Sequence, residues 1–154
     1  ADQAHPAFVE IIRQMSPDEA QMVRALWSKG SVPKIDLRAE QKNSRSGHWI
    51  RRNFSLLPYE AVCSAPALGP NYLINLARLG IVELRENYHL QGDEGADLYQ
   101  PLLEFPEIHA IKHALDSSAD QKSFIDRGAV ILTELGRQFC YACVAENTHA
   151  RTDG

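Results

Sequence analysis

Leu76-Ala77-Arg78-Leu79-Gly80-Ile81-Val82 runs an apolar helical stripe through a glycine and directly into a strand-forming run. Leu73, Leu76 and Ala77 share one face of a helix predicted over Asn71–Leu79, because residues three and four apart stack on the same side. Gly80 suits the position just past a helix, where the backbone turns left-handed. Ile81-Val82-Glu83-Leu84-Arg85 reads as a strand leaving it. A second join, Leu132-Thr133-Glu134-Leu135-Gly136, works in the opposite sense. A strand over Gly128–Leu132 ends at Thr133, whose hydroxyl caps a final helix with Leu135, Phe139 and Cys143 on one face.

Working outward, Pro6 to Met15 reads as a helix with Phe8, Ile11, Ile12 and Met15 on its apolar face. Ser16-Pro17-Asp18-Glu19 is a capping box: the Ser16 hydroxyl accepts from the Glu19 N–H, and Glu19 reaches back to the Ser16 N–H. The helix it opens carries Ala20, Val23, Leu26 and Trp27 and stops at Gly30. Val32 to Leu37 alternates apolar with polar except at Pro33, which suits a short edge strand. Residues 39–53 are polar at their start and contain Gly and Ser, so a mobile basic surface loop is expected. Leu57 to Cys63 reads as a short helix, Gly69-Pro70 as a break, 91–96 as an acidic loop and Pro106–Asp116 as a helix.

With 91–127 set aside, the order is helix, edge strand, helix, helix, strand, strand, helix. The two joins resemble the third helix of a winged-helix domain entering its wing, and the strand that returns from it. The expected fold is therefore mainly α, in the α+β class. It is a winged-helix-like domain with a small β ribbon and an acidic helical insertion in the wing. A plain helical bundle with a two-stranded ribbon is the alternative. Residues 1–150 are expected to form one globular domain, and 151–154 a polar tail.

The chain has 154 residues, 44% hydrophobic and 23% charged, which suits a self-sufficient core and not a disordered chain. No apolar run approaches the roughly 20 residues of a membrane span. The start, Ala1-Asp2-Gln3-Ala4-His5, lacks the basic and apolar regions of a signal peptide and lacks Met, which reads as a piece of something longer. Three cysteines argue against a disulfide framework and for a reducing, cytoplasmic setting. The net charge of −4 is uneven: residues 91–126 hold eight acids against Lys112 and Lys122. That balance does not favour nucleic acid, yet it leaves room for a local basic patch.

A family resemblance rests on the same residues. His5-Pro6-Ala7-Phe8-Val9-Glu10-Ile11-Ile12, followed by Ser16-Pro17 and Glu19-Ala20, is one part. Asn75 to Val82 and Leu132-Thr133-Glu134-Leu135-Gly136 through Cys143 are the others. Together they resemble the abortive-infection alpha family of bacterial proteins, with 39–53 and 91–127 as departures and Met15 where the family pattern has Leu. The resemblance implies that this chain corresponds to the C-terminal portion of longer members, and it implies a setting in phage defence. It supplies no catalytic residue and no cofactor.

No constellation makes a convincing active site. Cys140-Tyr141-Ala142-Cys143 falls late in a helix, where the dipole disfavours a thiolate, and zinc would need further ligands at matching spacing, so core packing is expected. His109 and His113 share a helix face but lack the glutamate of a metalloprotease motif. Asp93, Glu94 and Asp97 do not follow EF-hand spacing. Nucleophile-elbow and phosphate-loop patterns are absent. No metal and no cofactor is expected.

The one basic cluster is Lys42, Arg45, His48, Trp49, Arg51 and Arg52. Lys42, Arg45, Arg51 and Arg52 suit phosphate contact while Trp49 stacks on a base, and they equally suit an acidic protein partner. The helix over Asn71–Leu79 is poor for reading bases, with Arg78 its only charge. The expectation is a non-enzymatic interaction domain that binds a protein partner or its own copy. A nucleic-acid-binding module is the alternative.

Overall fold

The structure is a computed structural model and describes residues 6–152, with side chains to Val144. His5, Asp153 and Gly154 therefore lie outside the described residues. Helix α1 spans Pro6–Arg13 and α2 spans Pro17–Lys29. Strand β1, Ser31–Gln41, turns into β2, Gly47–Phe54. Helices α3 (Leu57–Glu60) and α4 (Gly69–Arg78) follow, joined through a 3-10 turn at Pro66–Leu68. Then come β3 (Val82–Arg85), α5 (Gln100–Glu104), α6 (Pro106–Asp116), β4 (Gln121–Leu132) and α7 (Glu134–Thr152).

The winged-helix-like reading is overturned by the sheet. Four strands pair in the order β2-β1-β4-β3, as an antiparallel curled sheet in an α+β fold. The expected small ribbon falls short in two places. Residues 39–53 are the end of β1 and most of β2, with only a turn between them, where a mobile loop was expected. Residues 121–127 are the first half of β4, where the acidic insertion was expected to continue. Gly69-Pro70, expected to break the chain, instead opens α4, because proline at a first helical position costs no hydrogen bond. The expected tail also shortens, since Arg151 and Thr152 continue α7.

The local caps hold as expected. Glu19 N donates to Ser16 Oγ (3.2 Å) and Ser16 N donates to Glu19 Oε1 (3.0 Å). Gly30 closes α2 at φ 79°, a conformation open to glycine. Gly136 N donates to Thr133 Oγ1 (2.9 Å), which starts α7.

The chain gathers into two compact units. The first comprises 1–31, 57–83 and 131–154. Its buried side chains come from α1 (Phe8, Ile11), α2 (Met22, Val23, Leu26), α4 (Leu73, Leu76) and α7 (Phe139, Cys140). Phe8 meets Phe139 edge to face at 5.6 Å. The second comprises 32–56 and 84–130, with a core of Ile35, Leu37, Phe54, Tyr99, Leu102 and Ile108. Tyr99 is fully buried, and its hydroxyl donates to the Gly128 carbonyl at 2.8 Å. The β1–β2 register slips between Ile35 and Leu37 and again between Leu37 and Arg38, so simple alternation fails along this hairpin.

Candidate functional site

In the second unit, the apolar side chains Ile35 and Leu37 of β1 pack into the core. Between and beside them sit two charges that are also fully covered, Lys34 and Asp36. Lys34 Nζ donates to Asp36 Oδ2 at 3.0 Å, and Asn53 N donates to Asp36 Oδ1 at 2.6 Å. Gly128 on β4 makes room for the lysine stem: a Cβ there would collide with the Arg85 carbonyl oxygen and stand 3.1 Å from Lys34 Cε. A buried ion pair is tolerated only when its remaining valences are met, and here backbone and neighbouring charge meet them.

Three carboxylates converge at this point. Oxygens of Asp36, Glu86 and Asp126 lie within 4.8 Å of one another. Arg52 spans the group, with its guanidinium 2.5 Å from Glu86 Oε1 and 3.9 Å from Asp36 Oδ2. Burial, followed by the nearby Asp36 charge, pushes the Asp126 carboxyl up from the ordinary aspartate range, while Lys34 pulls the other way. Such a set has the donor chemistry for a hard divalent cation. However, Lys34 and Arg52 already supply two positive charges at the same carboxylates. The three carboxylates are therefore partly neutralised by cations of the chain itself.

The expected basic residues do come together on the β1–β2 hairpin, but most are already engaged. Arg51 pairs with Glu107 at 2.6 Å and Arg52 with Glu86. Lys42 Nζ donates to the Ser118 carbonyl at 2.8 Å. Arg45 lies exposed in the turn and makes no ion pair among the described residues. Trp49 is 36% exposed, with the guanidinium of Arg52 4.6 Å from its ring centroid and that of Arg38 at 5.5 Å. Nε of Arg38 is buried without a hydrogen-bond partner among the described residues.

A second feature, in the first unit, escaped the sequence reading. Helix α3 ends in a Schellman motif: Cys63 N donates to the Pro58 carbonyl (3.0 Å) and Val62 N to the Tyr59 carbonyl (3.1 Å). The left-handed position of that motif, normally glycine, is Val62 at φ 55°. A β-branched residue is poorly suited to that conformation. Val62 is also 81% exposed, so no packing compensates. The segment beyond it is anchored by Asp18, whose carboxylate accepts from Ser64 N (2.8 Å), Ala65 N (2.9 Å) and the Tyr72 hydroxyl (2.9 Å). The two backbone donors hold the Asp18 carboxyl below its ordinary range. A strained, exposed valine thus precedes a segment that Asp18 anchors. No local sequence signal marks it, because only a glycine would have advertised the turn.

The remaining expectations divide. Cys63, Cys140 and Cys143 form no disulfide among the described residues. Cys140 is fully covered and burial pushes its thiol up to about 12, which disfavours the thiolate and fits a side chain packed in the core. His109 and His113 stack in parallel, centroids 6.4 Å apart, on an exposed face of α6. Among the described residues no helix is long and apolar enough to cross a membrane.

These features describe an α+β protein with one charged sheet face and one apolar knuckle. Residues 1–143 match the family model described as abortive infection alpha, and the chain belongs to that family. The match spans nearly the whole chain and is not confined to a C-terminal portion. A solved structure shares the fold: an uncharacterized protein from the hydrocarbon-degrading marine bacterium Alcanivorax borkumensis SK2. Its TM-score is 0.57 and its identity 17%, over 93% of this chain and 99% of that one. No curated protein sequence matches.

Proposed function

We propose that this abortive-infection-related protein acts as a non-enzymatic interaction domain whose partner is a protein, either another chain or a second copy. The observation that carries this is Val62. An exposed left-handed valine costs on the order of 1–3 kcal/mol against an unstrained residue, and strain of this kind persists where function retains it. Apolar side chains displayed on a preorganised turn favour protein surfaces over phosphate. The engagement of Lys42, Arg51 and Arg52 within the chain supports the same reading, since ion-paired arginines have less to offer a phosphate backbone.

Val62→Gly tests it, because strain relief and loss of the knuckle act in opposite directions. The purified variant is expected to melt higher by a few degrees, as about 1 kcal/mol would give. Cells carrying it are expected to lose protection against a phage that the wild type restricts. Retained protection sinks the reading. A photo-crosslinking amino acid at position 62 should then give a discrete protein adduct during infection, at twice the chain mass for a second copy or at another mass for a different partner.

One observation favours nucleic acid as a second reading: exposed Trp49 has the guanidiniums of Arg52 and Arg38 at 4.6 and 5.5 Å from its ring centroid, with Arg45 nearby in sequence and without an ion pair among the described residues. Salt-sensitive anisotropy of labelled single-stranded DNA or RNA, abolished by Trp49→Ala with Arg45→Ala, is the result that would promote it.

A further inference from the structure

Helix α6 is set in rotation by its apolar side. Ile108 is fully buried in the core of the second unit, and Ile111 and Leu115 pack against that core. The opposite side faces solvent and carries His109 and His113, with the small exposed residues Ala110 and Ala114 beside them. Residues four apart on a helix stand about 5–6 Å apart at Cβ. The two imidazoles already lie parallel, with 4° between their planes and 6.4 Å between their centroids. Among the described residues neither ring takes part in a hydrogen bond or an ion pair, so its nitrogens are unclaimed. Asp116, further along the same side, is already engaged: it accepts from Ser123 N and pairs with Lys112. The helix also lies within residues 91–126, whose eight acids against two lysines make a local field that draws cations.

We propose that His109 and His113 form a two-histidine chelate for a late first-row divalent ion such as zinc, nickel or copper. Imidazole nitrogen is a borderline donor, which selects these ions over the oxygen-seeking magnesium and calcium. One ion about 2.0–2.1 Å from each nitrogen needs the two nitrogens no more than roughly 4 Å apart. Both rings are exposed, so each can swing about its own side-chain bonds to close that distance. The core contacts of Ile108, Ile111 and Leu115 hold the helix itself in place while they do so. Water fills the remaining coordination positions. Coordination straps one turn of α6 and places an accessible cation on an acidic segment. The site is separate from Val62 and does not depend on the reading of the chain as an interaction domain.

The test uses the full chain without a histidine tag. Zinc and nickel chloride are titrated into it at pH 7.5 by isothermal calorimetry, and Tm is followed in parallel. Wild type is expected to bind with a one-to-one component and to melt higher with the metal than without it. His109→Gln and His113→Gln, each confirmed as folded by circular dichroism, should weaken that component by at least about tenfold, the floor for changes even outside a metal's own ligands. Their Tm should no longer respond. His113→Gln with Ala114→His restores the number of histidines but not their spacing, and it should stay as weak as His113→Gln. Magnesium chloride should give no binding that the variants lose. Absence of zinc and nickel binding in wild type overturns the proposal, as does binding that survives either single variant. Recovery by Ala114→His would show loose attraction to any surface histidine and would overturn it as well.

Discussion

Asp18 and Asp126 are both aspartates turned into protein, and their circumstances are opposite. Asp18 is met by two backbone N–H groups and the Tyr72 hydroxyl, all within 2.9 Å. Its charge is wanted where it is, and its carboxyl is held down. Asp126 is crowded by Asp36 and Glu86, and its carboxyl is pushed up. The first arrangement spends a charge on fixing a loop. The second holds more negative charge than its neighbours neutralise, which makes it responsive. In the first unit, buried charge builds a platform under Val62; in the second, it adjoins the exposed ring of Trp49.

The largest break in this comparison should come from Lys34. Lys34→Ala leaves Asp36 buried with one cation fewer, and such losses cost about 3–5 kcal/mol, enough to unfold a marginal domain. Lys34→Met keeps the stem packed beside Gly128 but leaves the Asp36 carboxylate without its paired cation. If the ion pair were merely tolerated, replacing Asp36 as well, as Lys34→Met with Asp36→Leu, should restore stability to within about 1–2 kcal/mol of wild type by urea unfolding. A double variant as weak as Lys34→Ala would mean that Asp36 earns its place through Asn53 N and Arg52.

The next largest effect belongs to the platform. Asp18→Ala leaves the N–H groups of Ser64 and Ala65 and the Tyr72 hydroxyl without their acceptor, so Tm is expected to fall by roughly 5 °C. Crosslinking through position 62 should weaken with it, because the knuckle loses its footing. A full-strength crosslink from a destabilised Asp18→Ala would separate Val62 presentation from the Asp18 anchor.

The two units also differ in how much of them can be read from sequence. The first unit is organised by local signals, each complete within a few residues: the Ser16–Glu19 box, Gly30, the Leu76–Gly80 stripe and the Thr133 cap. Those signals need no knowledge of the rest of the fold. The hairpin of the second unit hid because β2 carries Arg51, Arg52 and Asn53 where alternation would call for an apolar residue, and because the register slips twice in β1. Lys34 and Asp36 read as the polar positions of a short edge strand, yet β1 lies inside the sheet between β2 and β4 and both side chains are fully covered. The charge cluster was illegible for the same reason: its members lie up to ninety-two positions apart, from Lys34 to Asp126. The two readable joins were real, but they fitted more than one sheet, and the smaller sheet was the wrong one.

Asp116 sharpens the contrast at its mildest end. It is a solvent-side counterpart of Asp18, accepting from Ser123 N and Ser123 Oγ at 2.8 Å and pairing with Lys112 at 3.0 Å. The Ser123 backbone bond, ahead of the serine hydroxyl and Lys112, takes its carboxyl down to about 2. A depressed folded value stabilises above the unfolded value of about 3.9, and that gain disappears as pH falls toward about 2. Because the pair is exposed, screening reduces the gain to at most about 1 kcal/mol. Wild type should therefore out-melt Asp116→Asn by a few degrees or less at pH 7, and the gap should close between about pH 4 and 2. Asp126→Asn should behave in the opposite sense. A raised folded value favours the native state below the unfolded value and penalises it as pH rises through the folded one, so this variant should out-melt wild type at pH 7 and converge with it on acidification. If both gaps had the same sign at pH 7, crowding at Asp126 would be no different in kind from bonding at Asp116, and the distinction between a fixing and a responsive carboxylate would fail.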